Sequence, residues 1–373
     1  MQKLQTLKQN FLFILLSALG GIALSYSGIP MAWMLGSLFL ASVLSSLRLK
    51  ELKFQSVKNG LNPIWPQIGQ LILGIQLGQN FNLSIMDTME DYFLIIIIML
   101  IASIAMAILS GIMLWRFSSV NMMTSLFGTT PGGISAMPTI ADEVGANAFI
   151  VSIIQTIRVL LVVSFIPLLS GVINSPSVMI AIKSTQDPLS SNALIYTGIL
   201  IIGACVGAKV GKRIKMPAPW LVGSMLGSGI VHLICPLFIG DLVGSSYWPQ
   251  EIIICAQVLI GTNIGSRVNF AMFKGLGQTI IVSLITSLCL IVSMLLFSFL
   301  ISEMTHISLV TCMLAFAPGG VAEMATTAIA LHANTTFVVT VQSFRLISII
   351  TILPPIFRFL NNRTNIKLFN GSN

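Results

Sequence analysis

Two Pro-Gly-Gly triplets, at residues 131–133 and 318–320, stand 187 residues apart, and the rest of the chain keeps the same register. Pro30-Met-Ala-Trp33-Met-Leu-Gly36-Ser37 corresponds to Pro217-Ala-Pro-Trp220-Leu-Val-Gly223-Ser224. Gln70, Gly74, Gln76 and Gly78 correspond to Gln257, Gly261, Asn263 and Gly265. After the triplets, Met137, Asn147, Gln155, Arg158 and Pro167 correspond to Met324, Asn334, Gln342, Arg345 and Pro354. Chance similarity between apolar segments does not hold rare residues such as Pro, Trp and Arg in one ungapped register. The chain is therefore a duplication, with one repeat at 1–187 and the other at 188–373. Each repeat offers six apolar segments: near 11–27, 30–47, 61–80, 92–115, 119–142 and 147–172, then near 194–211, 217–239, 249–266, 276–302, 307–332 and 335–357.

Composition decides the solvent these segments face. Charged residues make up 8%, against about 25% in a soluble domain. Hydrophobic residues make up 55% and the mean hydropathy is +0.95. The expected fold is all-α and polytopic in a membrane. The first apolar stretch, from Phe11, has no outstanding small-residue cleavage site and reads as a retained span.

The net charge of +8 does not point to nucleic acid, because the basic residues sit in short loops and tails. Lys3, Lys8, Arg48, Lys50, Lys53, Lys58, Lys209, Lys212, Arg213, Lys215, Arg358, Arg363 and Lys367 follow the pattern of positive-inside signals. With the N-terminus inside, the loop 48–58 and Arg116 lie inside and Asp87, Glu90 and Asp91 outside. In the second half Lys209–Lys215, Arg267 and Lys274 lie inside, Asp241, Glu303 and His306 outside, and the basic tail inside. These assignments agree when each repeat crosses an odd number of times. Five crossings plus one interrupted or re-entrant segment per repeat gives about 10 transmembrane helices at about 20 residues each. The repeats are then inverted, both termini are cytoplasmic, and the location is the cell membrane.

The fifth segment of each repeat carries the Pro-Gly-Gly triplet. Proline removes a backbone donor and glycine favours unwinding. The first break reads Thr130-Pro131-Gly132-Gly133-Ile-Ser135, the second Pro318-Gly319-Gly320-Val-Ala-Glu323. A break frees N–H and C=O groups that neighbours, water or a ligand must satisfy. Paired interrupted helices in inverted repeats point to the binding site of a secondary transporter. Glu323 falls in the first turn of the restarted helix, while its counterpart is Ala136. It reads either as a coupling or cation-binding carboxylate or as a helix cap. Asp142 and Glu143, by contrast, read as loop charges.

Gln155-x-x-Arg158 and Gln342-x-x-Arg345 place amide and guanidinium on one helix face inside apolar runs. An arginine there faces a polar cavity or pairs with something. It serves either to bind an anionic substrate or to neutralise the C-terminal ends of the broken helices and Glu323. Gln76 and Asn263 lie on glycine-rich segments, where the glycines permit close helix approach and the amides line a cavity or bond between helices. The five cysteines lack Cys-x-x-Cys spacing and read as inert thiols. His232, His306 and His332 are scattered and unmatched, so no metal site, cofactor or catalytic residue is expected.

These residues resemble the AbrB-type membrane family, known for a duplicated domain. The resemblance rests on Pro30-x-x-Trp33-x-x-Gly36, on Thr130-Pro131-Gly132-Gly133 through Gln155-x-x-Arg158, and on their second copies. It covers nearly the whole chain. Family members have been labelled ammonia monooxygenases or regulators of gene expression; the family shares only its name with the small DNA-binding AbrB regulators. The layout of a broken segment followed by a closing helix also looks like the bile-acid and sodium/proton antiporter group.

The expected function is a secondary transporter of a small anionic or zwitterionic solute, working by alternating access and coupled to H+ or Na+. The expected partners are the lipid bilayer, the solute and the coupling ion, with a homo-oligomer left open and no nucleic acid. A monooxygenase would need clustered ligands for copper or iron, which three scattered histidines do not provide. The alternative is a membrane regulator or sensor that affects gene expression indirectly, since no segment has room for a soluble DNA-binding domain.

Overall fold

The computed structural model describes residues 2–27, 31–47, 61–79, 93–132, 136–173, 191–214, 216, 218–239, 246–268, 275–305 and 307–370. Among these residues there is no strand. In chain order the helices are α1 (Gln2–Ser25), α2 (Ala32–Leu47), α3 (Ile64–Gly78), α4 (Phe93–Phe117), α5 (Met122–Thr129), α6 (Ala136–Glu143) and α7 (Ala148–Ile173). The second repeat supplies α8 (Ser191–Arg213), α9 (Val222–Ile239), α10 (Gln250–Ser266), α11 (Gly277–Thr305), α12 (Leu309–Phe316), α13 (Val321–Ala330) and α14 (Thr335–Asn370).

Among the described residues six stretches are long and apolar enough to cross a membrane: Leu7–Ser25, Phe93–Phe117, Ala148–Ile166, Asn192–Arg213, Gly277–Thr305 and Thr335–Leu353. Shorter apolar helices cover Ala32–Leu47, Val222–Cys235 and Val321–Ala330. Their outward positions are apolar too: Leu94, Ile202 and Leu296 are well exposed, as hydrocarbon solvation requires and water does not. The molecule is an all-α polytopic membrane protein. The interruption expected in the fifth segments is where α5 gives way to α6 and α12 to α13. Two boundaries differ from expectation: the first helix starts at Gln2 instead of near 11, and the C-terminal one ends late. The last helix runs on to Asn370 instead of ending near 357, because no proline or glycine occurs between 358 and 370 to stop it.

The chain divides into two compact units. Unit 1 comprises Met1–Glu90, Pro167–Asn269 and Val321–Val339; unit 2 comprises Asp91–Ile166, Phe270–Gly320 and Thr340–Asn373. Each draws on both sequence repeats. The division does not follow the register throughout: Val321–Val339 belongs to unit 1 while the matching stretch 134–152 belongs to unit 2, and the end of α7 from Pro167 belongs to unit 1 while its counterpart from Pro354 belongs to unit 2.

Unit 1 is assembled on small residues. α1 meets α2 at Gly20 and Gly36, where a Cβ on Gly36 would lie 2.1 Å from the Gly20 carbonyl oxygen. Their counterparts Gly207 and Gly223 join α8 to α9 in the same way. The third helix of each repeat then packs on the second helix of the other. α3 fits Gly74 against Ser224 of α9, and α10 fits Gly261 against Met34 and Ser37 of α2. Ser228 Oγ donates to Gly74 O across the first of these seams. In unit 2, α4 packs on α5 and on α11, and α11 on α12. A core of Phe127, Met137, Val151, Ile349 and Phe357 ties α5, α6, α7 and α14 together, with the Phe127 and Phe357 rings edge-to-face at 5.0 Å.

Candidate functional site

The two breaks begin alike. α5 starts on Asn121, whose side chain accepts from Thr124 N, and α12 on Ser308, whose side chain accepts from Thr311 N. Each helix lasts eight residues and leaves the helical region one residue before its proline. Thr130 sits at φ −74°, ψ 126° and Ala317 at φ −47°, ψ 132°. That is the extended backbone a following proline imposes, since its Cδ crowds the α conformation of the residue before it. Pro131, Gly132, Pro318 and Gly319 are buried and Gly320 is partly so. Gly133 and Ser135 lie outside the described residues.

A helix that stops inside apolar protein leaves its last carbonyls without N–H partners. In unit 2 the Gln-x-x-Arg pairs supply them. Gln155 Nε2 donates to Phe127 O at 2.9 Å and Thr130 O at 2.7 Å, while Arg158 Nη1 donates to Thr129 O at 2.9 Å. Gln342 Nε2 donates to Leu314 O at 2.7 Å and Ala317 O at 3.1 Å, while Arg345 Nη1 donates to Phe316 O at 3.0 Å. Every partner keeps the register of 187, so the duplication extends to individual hydrogen bonds. Each arginine also donates through Nη2 to the amide oxygen of its own glutamine. The helices that carry these pairs start on matched caps: Asn147 Oδ1 accepts from Ile150 N, and Asn334 Oδ1 from Phe337 N. Arg345 goes further than its counterpart, donating from Nη1 to Ala317 O at 2.8 Å and from Nη2 to Gly319 O at 3.1 Å. Of the two roles open to the arginines, the carbonyl contacts display the capping of helix C-terminal ends.

Unit 1 holds the acidic part. α13 carries Glu323 in its first turn and packs on α3 and α10, the helices of Gln76 and Asn263. The Glu323 carboxylate takes a hydrogen bond from its own backbone N–H and feels the charge of Arg267. Arg267 caps the C-terminus of α10. Burial draws its guanidinium below the usual arginine range, and the negative charge of Glu323 opposes that. Arg267 stands 56 residues before Glu323 in the chain, so its local sequence marks it as no more than a loop charge. Asn263 Oδ1 and Thr262 Oγ1 on α10 and Arg267 Nε are buried without hydrogen-bond partners. Asp142 is exposed, as expected, but it stands in the last turn of α6 and not in a loop. The predicted site residues thus fall into two groups, one in each unit: the two Gln–Arg pairs in unit 2, and Glu323, Gln76 and Asn263 in unit 1.

The family model described as "Transition state regulatory protein AbrB" matches residues 33–361. A Bacillus subtilis (strain 168) protein named "Uncharacterized protein YhjN" is 45% identical over 97% of this chain and 96% of its own length. An Escherichia coli (strain K12) protein named "Putative regulator AbrB" is 27% identical over 78% of this chain and 81% of its own. No solved structure matches the chain. With the family model spanning almost the whole sequence and a relative nearly half identical from end to end, the chain belongs to the AbrB family.

Proposed function

We propose that this chain is a secondary transporter that moves a small anionic or zwitterionic solute across the cell membrane by alternating access. The observation that carries the proposal is the pair of interrupted helices, each with its broken C-terminal end held by a buried Gln–Arg pair at matched positions. Irregular backbone at membrane depth survives only where protein encloses it or where it lines a polar cavity. Two such breaks in repeated segments are the arrangement that transporters use. In this reading the repeats are inverted, both termini are cytoplasmic, and the protein has no enzymatic activity. Glu323, with Arg267 as its charge partner, couples solute movement to a proton or sodium gradient.

Uptake into proteoliposomes of the purified protein, across a panel of small carboxylates and amino acids with an imposed proton or sodium gradient, tests this. Gradient-driven accumulation of one solute class is expected. Wild-type uptake by both Glu323→Gln and Arg345→Ala would sink the site assignment.

The name of the Escherichia coli relative favours a second reading, a membrane regulator acting on gene expression through a partner or through altered solute levels. Deleting the gene and complementing it with Glu323→Gln separates the two. Full transcriptional rescue by a transport-dead variant would favour the regulator.

A further inference from the structure

Unit 2 buries two guanidiniums and pairs neither with a carboxylate among the described residues. Arg158 is 2% exposed and Arg345 3%. The described carboxylates of this unit, Asp142 and Glu303, are exposed. What faces the two cations instead is backbone: the C-terminal ends of α5 and α12. Each helix end carries about half a negative charge. The two together offset about one of the two positive charges, so among the described groups about one remains without an opposite charge.

The two copies also differ in how fully they are engaged. Arg345 makes four hydrogen bonds, to Phe316 O, Ala317 O, Gly319 O and Gln342 Oε1. Among the described residues Arg158 makes two, to Thr129 O and Gln155 Oε1. The carbonyl of Gly132, the counterpart of Gly319, is not used by Arg158. Both Nε–H groups are buried without a partner among the described residues. A guanidinium has five donors in a fixed fork, and the described residues take two of those of Arg158. Buried donors on a charged group are costly to leave unsatisfied.

We infer that Arg158 is the principal ligand of a small monoanion, of the carboxylate class, which accepts from its Nε–H and remaining Nη–H donors, while Arg345 holds its broken helix end and supplies the second charge. A carboxylate suits the fork because two oxygens can take two parallel N–H bonds. A single negative charge suits the balance of helix ends and guanidiniums. The inference deepens the transport reading and rests on it only for the anion's being cargo.

Binding is measured on the full-length protein in detergent, with sodium acetate replacing sodium sulfate at constant ionic strength. Acetate should raise the unfolding temperature saturably, and calorimetry should give a stoichiometry near one per chain. Arg158→Lys should bind acetate about tenfold more weakly or worse, the loss of one charge-assisted hydrogen bond. Without acetate its unfolding temperature should fall, because Thr129 O and Gln155 Oε1 lose their fixed donors, but by less than that of Arg345→Lys, which gives up four hydrogen bonds. Arg345→Lys should lower that temperature and leave acetate affinity close to wild type. Wild-type affinity in Arg158→Lys, or no saturable acetate effect on the wild-type protein, overturns the inference. A second measurement needs no variant: in wild-type protein labelled with 15Nε-arginine, acetate should shift the slowly exchanging Nε–H signals, and their indifference overturns it equally. Acetate binding without solute movement in proteoliposomes would remove the transport reading and leave this one. Solute movement with Nε–H signals blind to acetate would do the reverse.

Discussion

Gln342 serves three groups at once. Its amide donates to Leu314 O and Ala317 O, and its oxygen accepts from Arg345. Alanine at 342 leaves Leu314 O without that donor and frees the guanidinium from its hold. A buried group left unsatisfied costs about 1–3 kcal/mol. Gln342→Ala should therefore destabilise the protein by at least that much in detergent unfolding experiments. Ser293→Ala should be neutral, because Ser293 merely bonds back to Cys289 O on an outward helix position. Glu323→Gln tests a different property at the same scale. It keeps the side chain's size and removes its charge, so transport should persist at most at a low rate and lose its response to an imposed pH gradient. An unchanged gradient response would move the coupling group elsewhere. Much of this site could be read before any fold was known, because a doubled Gln-x-x-Arg in apolar runs demands a polar partner. The partners themselves could not. The carbonyls lie 25–29 residues upstream, and which atoms a guanidinium reaches depends on where the preceding helix stops. Arg267 was missed for the same reason: nothing in its local sequence places it near Glu323.

At the scale of elements, the glycines of unit 1 fall into two kinds. Gly36 sits where a Cβ would press on the backbone of Gly20, and backbone does not move aside as a flexible side-chain tip does. Gly198, within α8, has nothing within 4 Å. Gly36→Ala should cost about 1–3 kcal/mol from overpacking of the α1–α2 seam. Gly198→Ala should gain about 1 kcal/mol from helix propensity alone. The contrast is measured by thermal unfolding of both variants side by side, and equal effects would show that the seam is looser than described. The glycine spacing was legible in the sequence as a signal of close helix approach. The identity of the neighbour was not. The exchange by which α3 packs on α9 and α10 on α2 follows from the duplication having two complementary surfaces to satisfy. A helix face with serine and glycine at the right intervals accepts either copy, and only the three-dimensional arrangement selects one.

The whole molecule raises the question of orientation, which loop charges answer only by inference. Arg116 and Glu303 are counterparts in the register of 187 and carry opposite charge. A basic loop end on the cytoplasmic side and an acidic one on the other would follow if the repeats were inverted, because positive charge is retained inside during insertion. Parallel repeats would put both on one side, and the sign change would then have no topological cause. The neighbouring positions Phe117 and Met304 are also counterparts, and both are exposed, at 61% and 77%. Each can therefore carry a cysteine without disturbing a packed seam. In a background with the five native cysteines removed, Met304→Cys should react with a membrane-impermeant maleimide added to intact cells. Phe117→Cys should react only after the membrane is opened. Labelling of both from the same side would make the repeats parallel and remove the main support for alternating access, since two breaks of opposite sense are what let one site face each side in turn.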